Sequence, residues 1–290
     1  MPTEHFIDVN GLRSHGLTWD GGGDTTVLLL HGFLDHAWSW HFTAEALHGL
    51  SPDLHLVAFD WRGHGESDRV GAGGFYHFMD YVRDLDAAAR ALRRRRLYVV
   101  GHSMGGGVAG LWLGACRPDV IGATLIEAGG PRPGGPDDLV DRIAEWVEQT
   151  TPFDPARFER PMDDLDHAAR RLRRLDERLT ETQALFLAEK GTRVGADGKR
   201  RWRADPLNRV RSPTPLLPGV IEAFWRKIAV PVAWIDGADS VLRLPTDDPR
   251  LDAIPYLTRS VLPGAGHMVQ HHQPERLAAE IARSIASPVD

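Results

Sequence analysis

Residues 96–107 constrain this chain more than any other stretch, because they join an apolar strand to a Gly-x-Ser-x-Gly turn. The sequence there is Arg-Leu-Tyr-Val-Val-Gly-His-Ser-Met-Gly-Gly-Gly, in which the small residues after the strand open a helix. Glycines at positions 101 and 105 let the strand and the helix approach closely, and so sharp a turn forces Ser103 into an unfavourable backbone conformation. The pattern predicts a strand, a tight turn and a helix, with the Ser103 hydroxyl raised at the turn.

The same turn brings two chemically useful groups together. Ser103 is lifted into a pocket as a candidate nucleophile, and the amide of Met104, the first of the helix, points to the same place. A helix N-terminus favours negative charge, so the Met104 N–H can donate to a developing oxyanion. Many chains contain Gly-x-Ser-x-Gly by chance, and an idle serine in a turn is the alternative. The position between a Val-rich strand and a helix favours the nucleophile.

Three further motifs accompany the turn. They are His31-Gly32-Phe33 after an apolar run, Asp60-Trp61-Arg62-Gly63-His64-Gly65-Glu66-Ser67, and Gly264-Ala265-Gly266-His267. With the Ser103 motif they fall in the order and at the spacing of the α/β-hydrolase superfamily, which the sequence resembles over most of its length. Within it, the chain looks most like the cap-bearing branch of haloalkane dehalogenases, epoxide hydrolases and serine-hydrolase-like proteins. Serine at position 103, where dehalogenases and epoxide hydrolases use aspartate, argues against those two activities.

The resemblance implies roles for residues outside the turn. His267 is the implied base, since an imidazole with an unperturbed pKa of about 6.5 can take the serine proton and return it. The amide of Phe33 is the implied second oxyanion donor, because the glycine before it lets the backbone approach closely. His31 is expected to form structural hydrogen bonds. His271 and His272, on the approach to the closing helix, are expected at the surface.

The third member of a triad must be a carboxylate that holds the imidazole tautomer and stabilises its cation. Most family members carry an aspartate three residues after a glycine beyond the seventh strand; counted from Gly237, that position is Ser240, and Asp239 is one residue short. Glu127 stands where some haloalkane dehalogenases place a catalytic glutamate. Both carboxylates stay open, with Glu127 favoured, because a small change in the loop can still deliver Asp239 to the imidazole. For either, the alternative is a solvated loop carboxylate.

The hydropathy pattern predicts an α/β fold with a mostly parallel central sheet flanked by helices, and the resemblance implies that this is the α/β-hydrolase fold. Asn10-Gly11 predicts an antiparallel hairpin at the N-terminus. Continuous apolar runs such as 26–30 and 54–59 are typical of strands buried on both faces. Segments with helical spacing alternate with these runs, which indicates right-handed crossovers between parallel strands.

A composition break at 128–136, Ala-Gly-Gly-Pro-Arg-Pro-Gly-Gly-Pro, separates a helical segment from this sheet. Beyond it, apolar residues recur at helical spacing, and Thr180-x-x-Gln183 is a capping box that opens a helix. The turn at Asp197-Gly198 and the Arg-rich stretch after it are predicted as a loop. We predict that residues 1–131 and 229–290 form the hydrolase core, and that residues 132–228 form a helical cap inserted between the sixth and seventh core strands.

Ligands in such proteins bind between the sheet and the cap. Four aromatic residues are candidates to line an apolar pocket there: Trp38, Trp40, Trp146 and Trp225. Aromatic residues at such positions are more often ordinary packing in a core or a cap, which is the competing interpretation.

Charge and cysteine content argue against several classes of function. The net charge of −6 gives no electrostatic reason to expect nucleic acid. Cys116 is the only cysteine, which rules out an internal disulfide and a multi-cysteine metal site. Residues 1–30 lack a basic segment followed by an apolar core, and no apolar run approaches a membrane span. We expect a cytoplasmic monomer or homodimer that acts on a small-molecule substrate, with no membrane or nucleic-acid partner and no metal or organic cofactor.

Together these residues predict acyl transfer to water. Ser103 attacks a carbonyl, the Met104 and Phe33 amides hold the oxyanion, His267 shuttles the proton, and water releases the acid. A carboxylic ester of small to medium size with an apolar acyl or alcohol part is the expected substrate. Two alternatives remain: cleavage of a carbon-carbon bond or a lactone by the same triad, and a ligand-binding protein on a hydrolase scaffold with negligible turnover.

Overall fold

The structure, a computed structural model, describes residues 1–130, 136–215 and 219–286. Its strands within those ranges are β1 (Thr3–Val9), β2 (Leu12–Trp19), β3 (Thr25–Leu30), β4 (His55–Phe59), β5 (Arg96–His102), β6 (Gly122–Ile126), β7 (Thr192–Val194), β8 (Arg200–Trp202), β9 (Val232–Gly237) and β10 (Leu257–Leu262). Eight of them form one sheet in the order β1-β2-β4-β3-β5-β6-β9-β10, and β7 pairs with β8 in a separate ribbon.

Strand pairing follows the predicted pattern. β1 and β2 form an antiparallel hairpin at Asn10-Gly11, where both residues adopt the positive φ that such a tight turn requires. β2 also pairs antiparallel with β4, whereas every pairing from β4 to β10 is parallel. All of β3 and nearly all of β5 are buried, as expected for central strands that helices cover on both faces. The predicted mostly parallel sheet flanked by helices is therefore confirmed.

Helices surround this sheet. Those in the described ranges are α1 (His41–Leu50), α2 (Phe78–Leu92), α3 (Met104–Cys116), α4 (Pro136–Thr150), α5 (Leu165–Leu175), α6 (Glu181–Gly191), α7 (Val220–Trp225), α8 (Val269–His272) and α9 (Pro274–Ala286). Alternate side chains of β3 point to opposite faces and divide the apolar core in two. Leu28 and Leu30 pack with α2 and α3, and Val27 and Leu29 pack with α1 and α9.

The chain leaves the sheet between the neighbouring strands β6 and β9. We call the described residues of this excursion, 136–215 and 219–228, the insert. It contains α4 to α7 and the β7–β8 ribbon, and α5 and α6 build an apolar cluster of their own. The capping box at Thr180 and Gln183 is confirmed, since both of its hydrogen bonds are present. The predicted boundary at 131/132 and the last residues of the predicted core, 287–290, lie outside the described residues.

The prediction of a loop at Asp197-Gly198 and after it is wrong in part. Arg200–Trp202 pairs antiparallel with Thr192–Val194 across this turn, so the segment is a short hairpin. Both strands carry arginines, so their sequences lack the apolar alternation from which a strand is predicted. The charges lie in solvent or pair with acids of the insert, as Arg201 does with Asp197.

Candidate active site

Ser103 lies at the carboxyl end of β5, in a turn that the neighbouring glycines make possible. Its φ of 51° and ψ of −116° lie outside the regions that side chains favour, as the predicted strain requires. A Cβ at Gly105 would stand 2.5 Å from the Leu30 carbonyl oxygen, and one at Gly101 would stand 2.6 Å from the Gly106 nitrogen. Any larger residue at these positions would push α3 away from the sheet and relax the turn.

Ser103, His267 and Glu127 form a continuous hydrogen-bonded chain. Ser103 Oγ lies 3.1 Å from His267 Nε2, and His267 Nδ1 lies 3.2 Å from Glu127 Oε2. Because a carboxylate accepts at Nδ1, that nitrogen carries the proton and Nε2 turns its lone pair to the hydroxyl. The Glu127 residue is 4% exposed and the His267 side chain 27% exposed. The order is that of a nucleophile, a base and an orienting carboxylate, with the base open to a substrate.

The Glu127 carboxylate is also held by two further donors. The Gly237 N–H donates to Oε1 at 2.7 Å, and the Ser240 hydroxyl donates to Oε2 at 2.6 Å. The backbone of Glu127 adopts a positive φ of 52°, and its amide donates to the Ile235 carbonyl. A buried carboxylate is stable only when its oxygens are satisfied in this way, so these donors fix Glu127 in place.

Asp239, the competing carboxylate, points elsewhere. Its Oδ2 accepts from Arg178 Nη2 at 3.1 Å, and its side chain is 47% exposed. Residues 263–268, between β10 and α8, carry His267, and we call them the loop of the base. The Asp239 backbone amide donates to the Ala265 carbonyl, so Asp239 contacts this loop through its main chain. The structure thus brings Glu127, and not Asp239, to the imidazole. The shift of one residue in the sequence leaves Ser240 facing the acid instead.

The two predicted oxyanion amides belong to segments that adjoin Ser103. Met104 is the first residue of α3, where the helix dipole favours negative charge. The loop of Gly32 and Phe33 lies against the turn, since a Cβ at Gly32 would stand 3.4 Å from the Cβ of Ser103. Neither the Phe33 nor the Met104 amide donates a hydrogen bond to another described residue. Both therefore keep an N–H that a substrate oxygen can accept.

His31 forms structural hydrogen bonds, as predicted. Its Nδ1–H donates to the Gly32 carbonyl at 2.8 Å, and its Nε2 accepts from the Trp61 amide at 3.1 Å. Burial lowers its pKa below the ordinary value, which keeps the ring neutral and this donor-acceptor pattern intact. The ring ties the oxyanion loop to the loop that follows β4.

With this geometry established, the chain can be placed among known proteins. The model of the alpha/beta hydrolase family matches residues 27–280. The chain belongs to the alpha/beta hydrolase family.

Curated relatives share different lengths with the chain. A serine hydrolase-like protein of Danio rerio is 29% identical over 181 residues, which are 61% of this chain and 54% of that protein. Epoxide hydrolase A of Mycobacterium tuberculosis is 29% identical over 322 residues, covering 97% of this chain and 96% of that protein. The match thus spans about half of the first relative and nearly all of the second.

Solved structures share the fold at lower identity. The thioesterase domain from the curacin biosynthetic pathway superposes with a TM-score of 0.86 at 24% identity, covering 97% of this chain and 99% of that one. E-2-(acetamidomethylene)succinate hydrolase superposes with a TM-score of 0.77 at 21% identity, covering 99% and 100%. At such identities the likeness establishes the fold.

Two of the candidate pocket tryptophans lie in the core instead. Trp40 and Trp225 are almost completely buried, one in each of the two cores, and the Trp225 ring packs on Trp234 with centroids 5.6 Å apart. The prediction that they line a pocket is wrong. Helical spacing marks an apolar side chain as inward-facing, but it does not say whether the sheet or a ligand lies inside.

The other two tryptophans lie where the insert meets the core, Trp38 buried in the same core cluster as Trp40 and Trp146 half-buried on α4. Trp38 is covered by Lys190 of the insert, whose Nζ stands 3.9 Å from the ring centroid. Trp146 on α4 packs edge-on against Phe75, with centroids 5.6 Å apart. Both positions are contacts between insert and core, and the role of these residues in binding stays a prediction.

The side chains of His271 and His272 are buried, which corrects the prediction that they lie at the surface. His271 Nε2 lies 2.9 Å from Ser39 Oγ, and His272 Nε2 lies 2.7 Å from Asp176 Oδ2. The insert covers both histidines, and a contact between segments so far apart in sequence leaves no local pattern to read.

His102, the first of the two variable residues of the Gly-x-Ser-x-Gly turn, holds the backbone of the base. Its Nε2–H donates to the His267 carbonyl at 2.8 Å, and the Gln270 amide lies 3.3 Å from its Nδ1. Burial lowers the pKa of His102 to about 3, so the ring is neutral at ordinary pH. Motif reasoning passed over this residue, although its place beside Ser103 was the signal that could have found it.

Metal and membrane sites are tested by two further observations. In residues 1–130, 136–215 and 219–286, no three His, Cys, Asp or Glu side chains are grouped as metal ligands would be. No helix in this part of the chain combines the length and the hydropathy of a membrane span.

Proposed function

We propose that this protein is a serine hydrolase that cleaves carboxylic esters of small to medium size through an acyl-enzyme intermediate. The observation that carries the proposal is the chain of hydrogen bonds from the buried Glu127 through His267 to the strained Ser103. Strain, a free lone pair on the base and two unpaired amides are the features that activate a serine hydroxyl and stabilise an oxyanion.

In acylation, Ser103 Oγ attacks the carbonyl carbon of the ester while His267 Nε2 takes the hydroxyl proton. The new bond pushes the electron pair of the carbonyl onto its oxygen, which accepts hydrogen bonds from the Met104 and Phe33 amides. Glu127 stabilises the imidazolium that has formed. The tetrahedral intermediate then collapses, the bond to the alcohol oxygen breaks, and His267 gives its proton to the leaving alkoxide.

Deacylation repeats these steps with water in place of the alcohol. His267 takes a proton from the water as its oxygen attacks the acyl carbon, and the same amides hold the second oxyanion. The bond to Ser103 Oγ breaks, and the imidazolium returns its proton to that oxygen. The acid leaves and the site is restored.

The serine nucleophile favours an acyl substrate over an epoxide, which the name of the Mycobacterium tuberculosis relative suggests. Attack of Ser103 Oγ on an epoxide carbon would form an ether, and the enzyme has no carbonyl at which water could then release the product. An acyl group forms an ester with the same oxygen, and water can cleave that ester by the reverse chemistry. A trapped ether would end turnover after one cycle.

We also propose that residues 132–228 act as a cap and that the substrate lies between this cap and the carboxyl edge of the sheet. Phe33 and Leu242 support an apolar acyl or alcohol group, since both are exposed beside the site. The Leu242 amide donates to Ser240 Oγ at 3.2 Å, which places it next to the acid of the triad.

The test is hydrolysis of a graded panel of aryl esters, from short to medium acyl chains, by the native protein and by Ser103→Ala. We expect Ser103→Ala to lose at least about a thousandfold in kcat. The chain length at which kcat/KM is highest measures the space under the cap. Equal rates for both proteins on every ester would refute the ester assignment.

A second assay separates the remaining alternatives. A serine-directed phosphonate should label the native protein at Ser103 and leave Ser103→Ala unlabelled, because the reaction requires an activated nucleophile. Labelling without ester turnover would direct attention to carbon-carbon or lactone cleavage by the same triad. An unlabelled native protein would favour a ligand-binding protein on the hydrolase scaffold.

A further inference from the structure

The insert reaches the loop of the base through the turn between α5 and α6. We call residues 176–183, the turn together with the first residues of α6, the α5–α6 turn. It makes three side-chain contacts with the core: Asp176 Oδ2 with His272 Nε2 at 2.7 Å, Arg178 Nη2 with Asp239 Oδ2 at 3.1 Å, and Gln183 Nε2 with the His271 carbonyl at 2.9 Å. Two of the three end on residues that follow His267 closely in sequence. Most of this contact is therefore made with the segment that follows His267.

His272 carries this contact to the residue before the base. Its Nδ1 accepts from the Gly266 amide at 3.0 Å, while its Nε2 faces Asp176. A neutral ring that accepts at Nδ1 holds its proton at Nε2, so the Asp176 carboxylate selects the tautomer that can hold Gly266. The His272 side chain is 3% exposed, which shields the pair from competing water.

The charge on Asp176 is suited to this task. Burial is the largest single influence and opposes its ionisation, but the hydrogen bond with His272, the Arg178 amide and the neighbouring histidines together outweigh it, so the pKa of Asp176 lies below the ordinary value. Asp176 is thus an acceptor with a full negative charge, which makes the hydrogen bond to His272 stronger than one between neutral groups.

The backbone around His267 needs such support because it has little stiffness of its own. Glycines at 264 and 266 precede the base, and glycine restricts the backbone less than any other residue. The Gly266 amide is held by His272, and the His267 carbonyl is held by His102. Between these two points the imidazole must stay within hydrogen-bonding distance of both Ser103 and Glu127.

We propose that Asp176 and His272 are positioning residues for His267. Asp176, from the insert, orients the His272 ring; the ring holds the Gly266 amide, and this amide holds the imidazole in line with Ser103 Oγ. The insert is then part of the framework of the site as well as its cover. This inference rests on the proposed role of His267 as the base.

A matched control is offered by the opposite side of the insert. Arg203 Nη2 lies 3.1 Å from Glu66 Oε1, and this ion pair joins the insert to the loop after β4. Glu66→Gln therefore weakens the attachment of the insert without touching the loop of the base. A role limited to anchoring the insert would make the two sides equivalent.

The experiment measures first the NMR signal of His267 and then the rate of ester turnover. The downfield proton NMR signal of His267 Nδ1–H, assigned by its loss in His267→Gln, reports the imidazole geometry without any substrate. We expect Asp176→Ala and His272→Leu to shift or broaden this signal. The same variants should lower kcat on an aryl ester about tenfold to a hundredfold, with KM within about twofold, because a small misplacement of a catalytic group slows chemistry more than binding. Asp176→Asn, which keeps an oxygen acceptor, should recover most of kcat, and Glu66→Gln should match the native protein.

Two results would overturn the proposal: an unchanged His267 signal in folded Asp176→Ala, or an equal loss of kcat in Glu66→Gln. If the native protein hydrolyses no ester, the ester assignment fails, and the NMR signal alone decides whether His267 is positioned from the insert. If Asp176→Ala does not fold, His272→Asn replaces it. His272→Asn keeps an acceptor near the Nδ1 position but loses the hydrogen bond with Asp176. An undisturbed His267 signal in this variant would contradict the role of the carboxylate.

Discussion

Two parts of the insert are attached to the core very differently. The part from α5 to Val210 has its own apolar cluster and is bound on two sides, by the α5–α6 turn at the base and by Asp205 and Asn208 at the loop after β4. By contrast, no described side chain of α4 is buried. α4 meets the rest of the chain through a few contacts such as the Trp146–Phe75 pair.

The face that α4 leaves open is apolar. Val140, Ile143 and Val147 lie on one side of the helix and are all exposed. Local stability follows the number of buried contacts, so α4 should open at a small fraction of the free energy needed to unfold the sheet. The comparison teaches that one insert combines a part that buried contacts anchor to the core with a helix that few contacts hold.

The largest effect should come from the acid that the framework holds. Glu127→Gln removes the charge that stabilises the His267 cation and allows the wrong tautomer, so kcat should fall about a hundredfold to ten-thousandfold. Asp239→Asn is the matched control, since it alters a carboxylate that binds Arg178 and not the base, and its kcat should stay near the native value. Steady-state kinetics on one ester compares them, and a larger loss in Asp239→Asn would reverse the assignment of the acid.

The anchored part should be costly to disturb. Asn208 donates to the Gly63 carbonyl at 3.0 Å and accepts from the Tyr81 hydroxyl at 2.8 Å, and all of these contacts are buried. Asn208→Leu leaves the Tyr81 hydroxyl without its acceptor and removes one of the two donors to the Gly63 carbonyl, which still accepts from the Asp205 amide. The free energy of unfolding should fall by about 1–3 kcal/mol. Urea denaturation measures it. A loss below about 0.5 kcal/mol would mean that this side does not anchor the insert.

Acid should weaken the same anchored side through His64. Burial lowers the pKa of His64 to about 3, from an ordinary value of 6.5. Between pH 6.5 and pH 3, His64 is therefore protonated in the unfolded chain and neutral in the folded chain. Stability from the neutral ring is complete above pH 6.5 and is lost as the pH falls toward 3, by about 2 kcal/mol at pH 5.

The variant His64→Asn tests this by comparing urea denaturation at pH 7.5 and pH 5. It should be less stable than the native protein at the higher pH, and the gap should narrow at the lower one because the variant has no ring to protonate. A gap that is constant or wider at pH 5 would show that His64 does not titrate as its burial requires.

The smallest effect should come from α4. Ile143→Ser alters an exposed side chain and should change the free energy of unfolding by no more than about 0.5 kcal/mol. Amide hydrogen exchange should be faster in α4 than in α6 of the same native sample. Equal protection of the two helices would remove the difference between the two parts of the insert.

Local chemistry explains which parts of the site could be predicted. The strain at Ser103 follows from the glycines around it, and the hairpin at Asn10 follows from the positive φ that Asn-Gly accepts. Helical spacing placed Trp225 on the inner side of a helix, but not against Trp234. His271 and His272 were misplaced because the residues that cover them lie about ninety positions away in sequence.

The sequence by itself determined the hydrolase fold, the strained serine and the glycine-flanked histidine, because each depends on backbone freedom and hydropathy within a few residues. Only the tertiary structure decided that Glu127, and not Asp239, meets His267. That choice depends on the backbone turn at Glu127, on the donors Gly237 and Ser240, and on Arg178, which reaches Asp239 from the insert. Such contacts join distant segments, and their energies exist only once the chain has folded.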